Sequence, residues 1–395
     1  MGQCLHLSIY SILLCKSSMK ESSSEMKILR NVSRIIIGLV FIFSGVVKAI
    51  DPLGFAYKFH DYFHAFNLGF LNSFSLPLAI IFCTAEFIAG FSVLTGIKQK
   101  TGIWGVLILL AIFTPLTFIL ALTNPVSDCG CFGDAIHLTN WQTFGKNIIL
   151  SFLLIILYSG RNQIKTSFSG TTEWVIILIV SILFIVFSLA NLRYLPVIDF
   201  LPYKKGVRIA DKMVIPEGVP GDEYQTTFIY EKNGVKKNFT LSNYPASDST
   251  WKFVDQKSVL VKKGYQPAIH DFLISSVNGE DITQKVLSYS GYSVLMISKK
   301  LSEAQQKSLS KGFKLGNYCA EKGINFYILT SSGTDEVKGY ENGLTFCSAD
   351  ETTLKTMLRS NPGYILLKDG TILGKWSWAN VPGEEWFGKL LVVNK

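Results

Sequence analysis

Charged side chains are scarce in this chain: Asp, Glu, Lys and Arg make up 17% of 395 residues, against 48% hydrophobic ones. The mean hydropathy is positive and the apolar residues concentrate before about residue 192, which excludes a single soluble domain. Close cysteine pairs are scarcer still. Of 7 cysteines only Cys129 and Cys131 lie near each other, so no second pair completes four ligands and a structural zinc site is disfavoured. There are 5 histidines, and His137 and His270 lack companions at ligand spacing, so both read as ordinary polar residues and no metal is expected. The net charge of +9 requires no nucleic-acid partner, because part of it marks membrane topology and the rest is scattered through the C-terminal half.

What the chain does have is membrane-length apolar runs. Stretches able to cross the ~30 Å hydrocarbon layer run from Val32 to Ile50, Leu76 to Thr95, Gly102 to Leu122, Phe144 to Tyr158 and Trp174 to Leu192. The fourth is short, with Trp141 and Tyr158 bracketing it as interfacial aromatics do. Lys20, Lys27, Arg30 and Arg34 before the first run, Lys98 and Lys100 after the second, and Arg161 and Lys165 after the fourth all fall on one side. The opposite loops carry Asp51, Asp61, Asp128 and Asp134 with few cations. By the positive-inside rule the N-terminus is then cytoplasmic in an inner-membrane protein, and everything after the fifth run is periplasmic. Residues 1–25 fit poorly with the rest of the chain. Met26 makes a better start for a membrane protein, with Cys4 and Cys15 then without function; the alternative is a mobile cytoplasmic tail.

The loop Asp128-Cys129-Gly130-Cys131-Phe132-Gly133 lies between the third and fourth runs. A disulfide across one residue is strained, and strain makes such a bond exchange-prone. Gly130 eases the backbone there and Gly133 permits a turn. The pair therefore reads either as a redox couple or as a loop staple or two inert thiols. If it exchanges, Cys131→Ser is expected to leave Cys129 trapped on a partner. The first two runs carry ionisable residues that need explaining: Lys48 at the end of the first and Glu86 midway along the second. Such groups are costly and usually pair, face the bundle interior or mark a proton or ligand path. A Lys48 to Glu86 pair is the preferred arrangement; otherwise Lys48 snorkels outward and Glu86 stays protonated. Cys83, one turn outward of Glu86, approaches the cysteine loop or simply packs.

Phe43-Ser44-Gly45 through Lys48, Asp51-Pro52 and Phe55, then Glu86-Phe87-Ile88-Ala89-Gly90 through Leu94-Thr95-Gly96, and Cys129-Gly130-Cys131-Phe132-Gly133 resemble the DoxX-like superfamily. The last motif points to its MauE, or methylamine utilisation, branch. The resemblance covers about residues 30 to 160 as a four-helix core. It implies disulfide handling or quinone-linked chemistry outside the cytoplasmic membrane, as in maturing a disulfide-rich subunit of methylamine dehydrogenase. Quinone is the only cofactor it suggests. The Asp51 to Ser75 loop holds no second cysteine pair to relay electrons.

After Pro196, short alternating segments at Thr226 to Glu231 and Lys236 to Leu241, with turns at Asn233-Gly234 and Asn243-Tyr244-Pro245, suggest a small β extension. Pro267 to Phe272 resembles the opening of thioredoxin-like proteins of the TlpA and peroxiredoxin type. Strands at Ser293 to Ile297 and Ile324 to Thr330 flank a helix at Ser302 to Lys322, and a helix at Glu351 to Arg359 precedes a hairpin of Tyr364 to Lys368 and Thr371 to Trp376. That order is thioredoxin-like, and Asn361-Pro362-Gly363 takes the place of that fold's cis-proline, making Pro362 a candidate client-binding edge. Ser298-Lys299-Lys300-Leu301 stands where Cys-x-x-Cys would be, so no thiolate is poised there. Cys319 and Cys347 read as buried structural residues, able to bridge in an oxidising compartment.

The expected architecture is a membrane α-helical bundle followed by a soluble α/β thioredoxin-like domain. Its parts are a tail at 1–27, a four-helix domain at 28–160, a fifth helix and linker at 161–195, a β-rich extension at 196–264 and the thioredoxin-like domain at 265–395. Two functions remain open. One is a membrane component of disulfide formation, at most a thiol-disulfide or quinone-linked oxidoreductase component, with Cys129 and Cys131 exchanging and Lys48 and Glu86 tuning a proton or quinone site. The other is a non-catalytic assembly protein gripping an extracytoplasmic client along the Pro362 edge. A transporter is weaker, since only Glu86 marks a midplane path.

Overall fold

The computed structural model describes residues 2–126, 128–161, 168–221, 223–243, 245, 248–262, 264–340 and 343–393, with side chains from Glu25 onward except at Trp386, Leu390 and 391–393. Lys165, Tyr244 and the side chains of Cys4 and Cys15 lie outside the described residues. The chain forms two compact units. One is Met1–Leu201 with Leu358–Gly363 and Trp376–Pro382; the other is Pro202–Met357 with Tyr364–Lys375 and Gly383–Lys395.

The first unit is helical: α1 (Gly2–Ile50), α2 (Pro52–Ala65), α3 (Ser75–Thr95), α4 (Gln99–Thr123), α5 (Asn140–Ser159) and α6 (Gly170–Tyr194). Five segments, Glu25–Ile50, Gly69–Thr95, Gln99–Thr123, Asn140–Ser159 and Gly170–Tyr194, are long and apolar enough to cross a bilayer. The protein is thus a multi-pass membrane protein. α5 begins before its apolar run because Thr139 and Gln142 form a reciprocal capping box.

The segment after Asp51 is a helix rather than the loop expected from its polar start. Asp51 caps it by accepting from the Gly54 amide, and Pro52 occupies the first turn, where its missing N–H costs nothing. α2 buries Phe55, Ala56, Tyr62 and Phe63.

α1 and α3 approach closely because small residues line their crossing. A Cβ added at Gly45 would stand 2.8 Å from the Cys83 carbonyl oxygen, and one at Gly90 2.7 Å from the Ile42 amide nitrogen. In a bilayer, where apolar burial gives helices little drive to associate, such backbone contact is a main source of attraction. Ile37, Phe41, Ala89, Val93, Ile103, Val106, Leu150 and Leu154 fill the core behind it. α6 joins through Phe184, stacked on Phe87 at 4.1 Å between centroids.

The second unit holds two sheets. β1 (Glu223–Lys232), β2 (Val235–Thr240) and β3 (Lys252–Lys262) form an antiparallel sheet of order β2-β1-β3, with positive φ at Asn233 and Gly234 as a two-residue hairpin turn demands. β3, absent from the sequence expectation, is exposed along its whole length, so no buried face left an apolar alternation to read.

Then come β4 (Ser275–Ser276), α7 (Thr283–Leu287), β5 (Tyr292–Ile297), α8 (Gln306–Glu321), β6 (Asn325–Thr330), α9 (Thr334–Lys338), β7 (Thr345–Ser348), α10 (Glu351–Met357), β8 (Gly363–Lys368), β9 (Thr371–Ser377) and α11 (Glu384–Val393). The sheet order is β4-β7-β6-β5-β8-β9, with β5 parallel to β6 and β6 to β7. A βαβ unit followed by a helix and a hairpin, with a cis Asn361–Pro362 bond just before the hairpin, is the thioredoxin-like arrangement. An extra α9 and β7 lie between its halves.

α8 starts at Gln306 rather than Ser302, because the Gln305 side chain caps it. α10 stops at Met357, which leaves Arg359 outside the expected helix. Cys319 and Cys347 are buried free thiols, the former on α8 and the latter on β7.

Candidate functional site

The sequence gathers its polar groups at one cavity inside the helical unit. Its volume is about 60 Å³, and its lining includes Ser44, Lys48, Tyr62, Glu86, Cys129, Cys131 and Lys146, with Phe55, Phe59 and Phe113 as apolar wall. The structure thus brings together all of Cys129, Cys131, Lys48 and Glu86. Pro362 does not line this cavity. It is itself buried, and its carbonyl accepts a hydrogen bond from Ser360 Oγ at 2.6 Å.

Lys48 projects from the last turn of α1 and Glu86 from mid α3. Lys48 Nζ stands 2.7 Å from each Glu86 carboxylate oxygen, and their side chains are 3% and 5% exposed. The ammonium also lies 4.8 Å from the Phe55 ring centre, a cation–π contact that offsets some of its lost hydration. Ser44 Oγ accepts from Lys48 at 3.1 Å and lies within donating distance of Glu86 Oε2, at 2.8 Å, and of the Cys131 carbonyl, at 2.7 Å. One hydroxyl proton serves one acceptor at a time, so Ser44 links the ion pair to the cysteine loop by switching between them.

The cysteine loop is held from several sides. Asn140 at the head of α5 donates to Asn124 and to the Val126 carbonyl, both at 2.9 Å, and the Tyr62 hydroxyl donates to the Cys129 carbonyl. Asp128 accepts the Gly130 amide at 2.9 Å and pairs with Lys58 at 3.1 Å, while His137 lies 3.8 Å away. Gly130 takes φ +63°, and a Cβ there would meet Lys58 Cγ at 2.9 Å, so both conformation and space call for glycine. His137, read from sequence as an isolated polar group, is a partner of Asp128. Among the described residues no cluster of His, Cys, Asp and Glu could hold a metal.

Cys129 and Cys131 are free thiols whose sulfur atoms lie 2.8 Å apart. Their environments differ. Cys129 is 7% exposed, and its thiol is pushed up by its hydrogen bond to Cys131 and then by burial. Cys131 is only partly buried. Its thiol is lowered to about 6, first by the Cys129 hydrogen bond and, against the opposing effect of burial, by Lys146 and Lys48. Their shared hydrogen bond thus draws the two thiols apart, Cys131 toward the thiolate and Cys129 toward the protonated form.

Cys83 takes no part. Its sulfur contacts the Ile80 carbonyl at 3.2 Å and packs with Ala49 and Phe184. Arg359, unremarked in the sequence, lies within the helical unit by the chain's partition. Its Nε is 2.7 Å from Asp51 and its NH2 2.8 Å from Asp134, the residue three beyond Cys131. Sequence reasoning also missed Ser44, Tyr62, Asn140 and Lys146; only the polar character of Lys146 within an apolar run could have flagged one of them.

Fold and site together define a multi-pass membrane protein with a paired-cysteine cavity in its helical bundle and a thioredoxin-like domain after its last span. Residues 26–160 match the family model of methylamine utilisation protein MauE, a stretch that takes in α2 to α5 and the membrane part of α1 and ends before α6. Residues 224–263, the three-stranded sheet, match a domain family of unknown function. Over 128 residues the chain is 31% identical to Protein TlpB of Flavobacterium psychrophilum, covering 32% of this chain and 35% of that protein. The chain thus spans about a third of the curated relative's length. Among solved structures, the thioredoxin domain of a thiol-disulfide oxidoreductase from Bacteroides vulgatus aligns at 12% identity and TM-score 0.25, over 31% of this chain and 93% of that one. StoA from Bacillus subtilis aligns at 15% and 0.24, over 29% and 95%. At these values the strand order, rather than the likeness, carries the fold assignment.

Proposed function

We propose that the protein is a membrane thiol-disulfide exchanger that supports disulfide formation in extracytoplasmic proteins, with Cys129 and Cys131 as its exchanging pair. The observation that carries this reading is two sulfur atoms 2.8 Å apart at a cavity that also holds the Lys48–Glu86 ion pair. The MauE match of residues 26–160 supports it. So does the charge of the loops, which by the positive-inside rule favours a cytoplasmic N-terminus, with the cysteine loop and the C-terminal residues outside the inner membrane, where disulfides persist.

Burial and charge favour an order of attack opposite to the one expected from the sequence. Cys131, the more accessible and more acidic sulfur, meets the partner; Cys129, buried beside it, resolves. The residue whose replacement traps a mixed disulfide is therefore Cys129. Lys48 and Glu86 keep a polar, charge-balanced floor beneath the sulfurs, with Ser44 bridging to the loop.

Quinone, the cofactor suggested by the DoxX-like resemblance, does not fit this cavity. An apolar cavity that takes up one benzene ring measures about 150 Å³, more than twice the roughly 60 Å³ here. The second unit carries Ser298 and Leu301 at the thiol positions, so its contribution is to hold clients rather than to exchange with them; Pro362, buried and grouped with the helical unit, offers no open edge for that.

The test is the redox state of Cys129 and Cys131 in intact cells, trapped by rapid acidification and alkylation. A mixed population of disulfide and dithiol that shifts when thiol clients are overproduced supports exchange. A pair held entirely in one state under every condition makes it a staple or an inert couple.

A further inference from the structure

Lys146 takes no direct part in the exchange between Cys131 and Cys129. It lies in the second turn of α5, about 9 Å along the helix axis from Asn140 at ~1.5 Å per residue. Within the apolar span a lysine is costly unless it is paired. Among the described residues it makes no ion pair; its one recorded contact is with the Phe132 ring, 4.5 Å from the ring centre. Phe132 directly follows Cys131, and Lys146 and Cys131 line the same cavity.

The cavity's charges do not balance without a thiolate. Its lining holds two ammonium groups, Lys48 and Lys146, and one carboxylate, Glu86. Glu86 is already bound through both oxygens by Lys48. Of the other titratable groups nearby, Asp128 is engaged by Lys58 and the Tyr62 hydroxyl donates to the Cys129 carbonyl. One negative sulfur neutralises the cavity; a disulfide leaves it with a net positive charge.

Resting on the exchange reading, we propose that Lys146 is the positioning residue that supplies the counter-charge of a Cys131 thiolate, and that it thereby poises the Cys129–Cys131 disulfide to oxidise protein dithiols. A charge that favours the reduced, thiolate-bearing form makes the corresponding disulfide the stronger oxidant. The acidity of Cys131, lowered in part by Lys146, agrees with that placement.

The step balances with a client dithiol as the only co-reactant. A client thiolate attacks Cys131 Sγ and forms the mixed disulfide, while the Cys129–Cys131 bond breaks and Cys129 leaves, taking up one proton. The client's second thiolate then attacks the client sulfur of that bond and expels Cys131 as a thiolate beside Lys146. The client loses two electrons and two protons. The electrons reduce the cysteine pair; one proton stays on Cys129 and the other goes to solvent.

The test uses the full-length protein in lipid nanodiscs. Alkylation of reduced Cys131 by iodoacetamide is followed by mass spectrometry across pH, and the disulfide is equilibrated against glutathione buffers. Wild type is expected to alkylate with a midpoint below that of an ordinary thiol. Lys146→Met is expected to raise that midpoint by about one unit and to shift the glutathione equilibrium about tenfold toward disulfide, or ~30 mV for two electrons. Lys146→Arg, which keeps the charge, is expected to stay near wild type and controls for folding. An unmoved midpoint and equilibrium in Lys146→Met overturn the inference even if wild-type Cys131 exchanges. Failure of wild type to exchange with any dithiol overturns the exchange reading itself.

Discussion

Lys48 and Glu86 are almost fully buried within membrane spans, where a lone charge is costly and a matched pair costs far less. Lys48→Met alone should therefore destabilise the protein by roughly 3–5 kcal/mol, read as a lower unfolding temperature in detergent. Lys48→Met combined with Glu86→Leu should recover most of that loss, since no unmatched charge remains. If the pair serves exchange, the double variant stays inactive; full activity would make the pair a packing element only. Asp128 makes a second, pH-dependent prediction. Burial raises its carboxyl, but the nearby His137 imidazole, the Lys58 ammonium and the Gly130 amide outweigh that and hold it at about 2. Its folded value is below the unfolded one, so its contribution is present above pH ~4 and lost as pH falls toward 2. The His137 imidazole is raised, chiefly by the nearby Asp128 carboxylate, so its contribution is full below its ordinary value and fades as pH rises through the raised one. Hydrogen exchange over residues 124–139 should show most protection in the acidic-to-neutral range and loosening on both sides. Asp128→Asn should flatten the profile, and an unchanged profile would remove these two groups from the loop's anchoring.

Helix crossings place these side chains, and glycine sets the closest crossing. Gly45→Leu or Gly90→Leu should force α1 from α3, separate Lys48 from Glu86 and lower the yield of folded protein severely, because each new Cβ starts under 3 Å from the facing helix. Gly145→Ala is the control: nothing lies within 4 Å of its Cβ position, so it should be neutral or slightly stabilising. Equal tolerance of all three would contradict the close α1–α3 approach. These elements also mark what a sequence reveals. Apolar runs near 20 residues and the Asn-Gly hairpin turn were legible because each is a local signal. α2 was not, although Asp51 and Pro52 form a helix start, because its few buried residues look like part of a polar loop. The Cys129–Cys131 motif and the polar residues Lys48 and Glu86 stood out as anomalies in apolar sequence. Ser44, Tyr62, Asn140 and Lys146 did not, since what makes them a site is the meeting of α1, α2 and α5 around the loop, and no short window contains that meeting.

Taken whole, the chain joins a helical region that matches the MauE family model to a thioredoxin-like fold without paired thiols, so the only close thiol pair in the sequence lies in the helical part. Protease added to cells with a permeabilised outer envelope should release a fragment beginning near Leu195, where the last span ends. Protection of that fragment would reverse the orientation and with it the oxidising setting of the cysteine loop. The central claim, that Cys129 and Cys131 exchange disulfides with other proteins, is tested most directly by non-reducing electrophoresis of Cys129→Ser protein from cells grown with an oxidant. Exchange predicts adducts that collapse on reduction, are absent from the Cys129→Ser, Cys131→Ser double variant, and are weaker in Cys131→Ser alone. Equal abundance of all three variants with no adduct in any of them would contradict it.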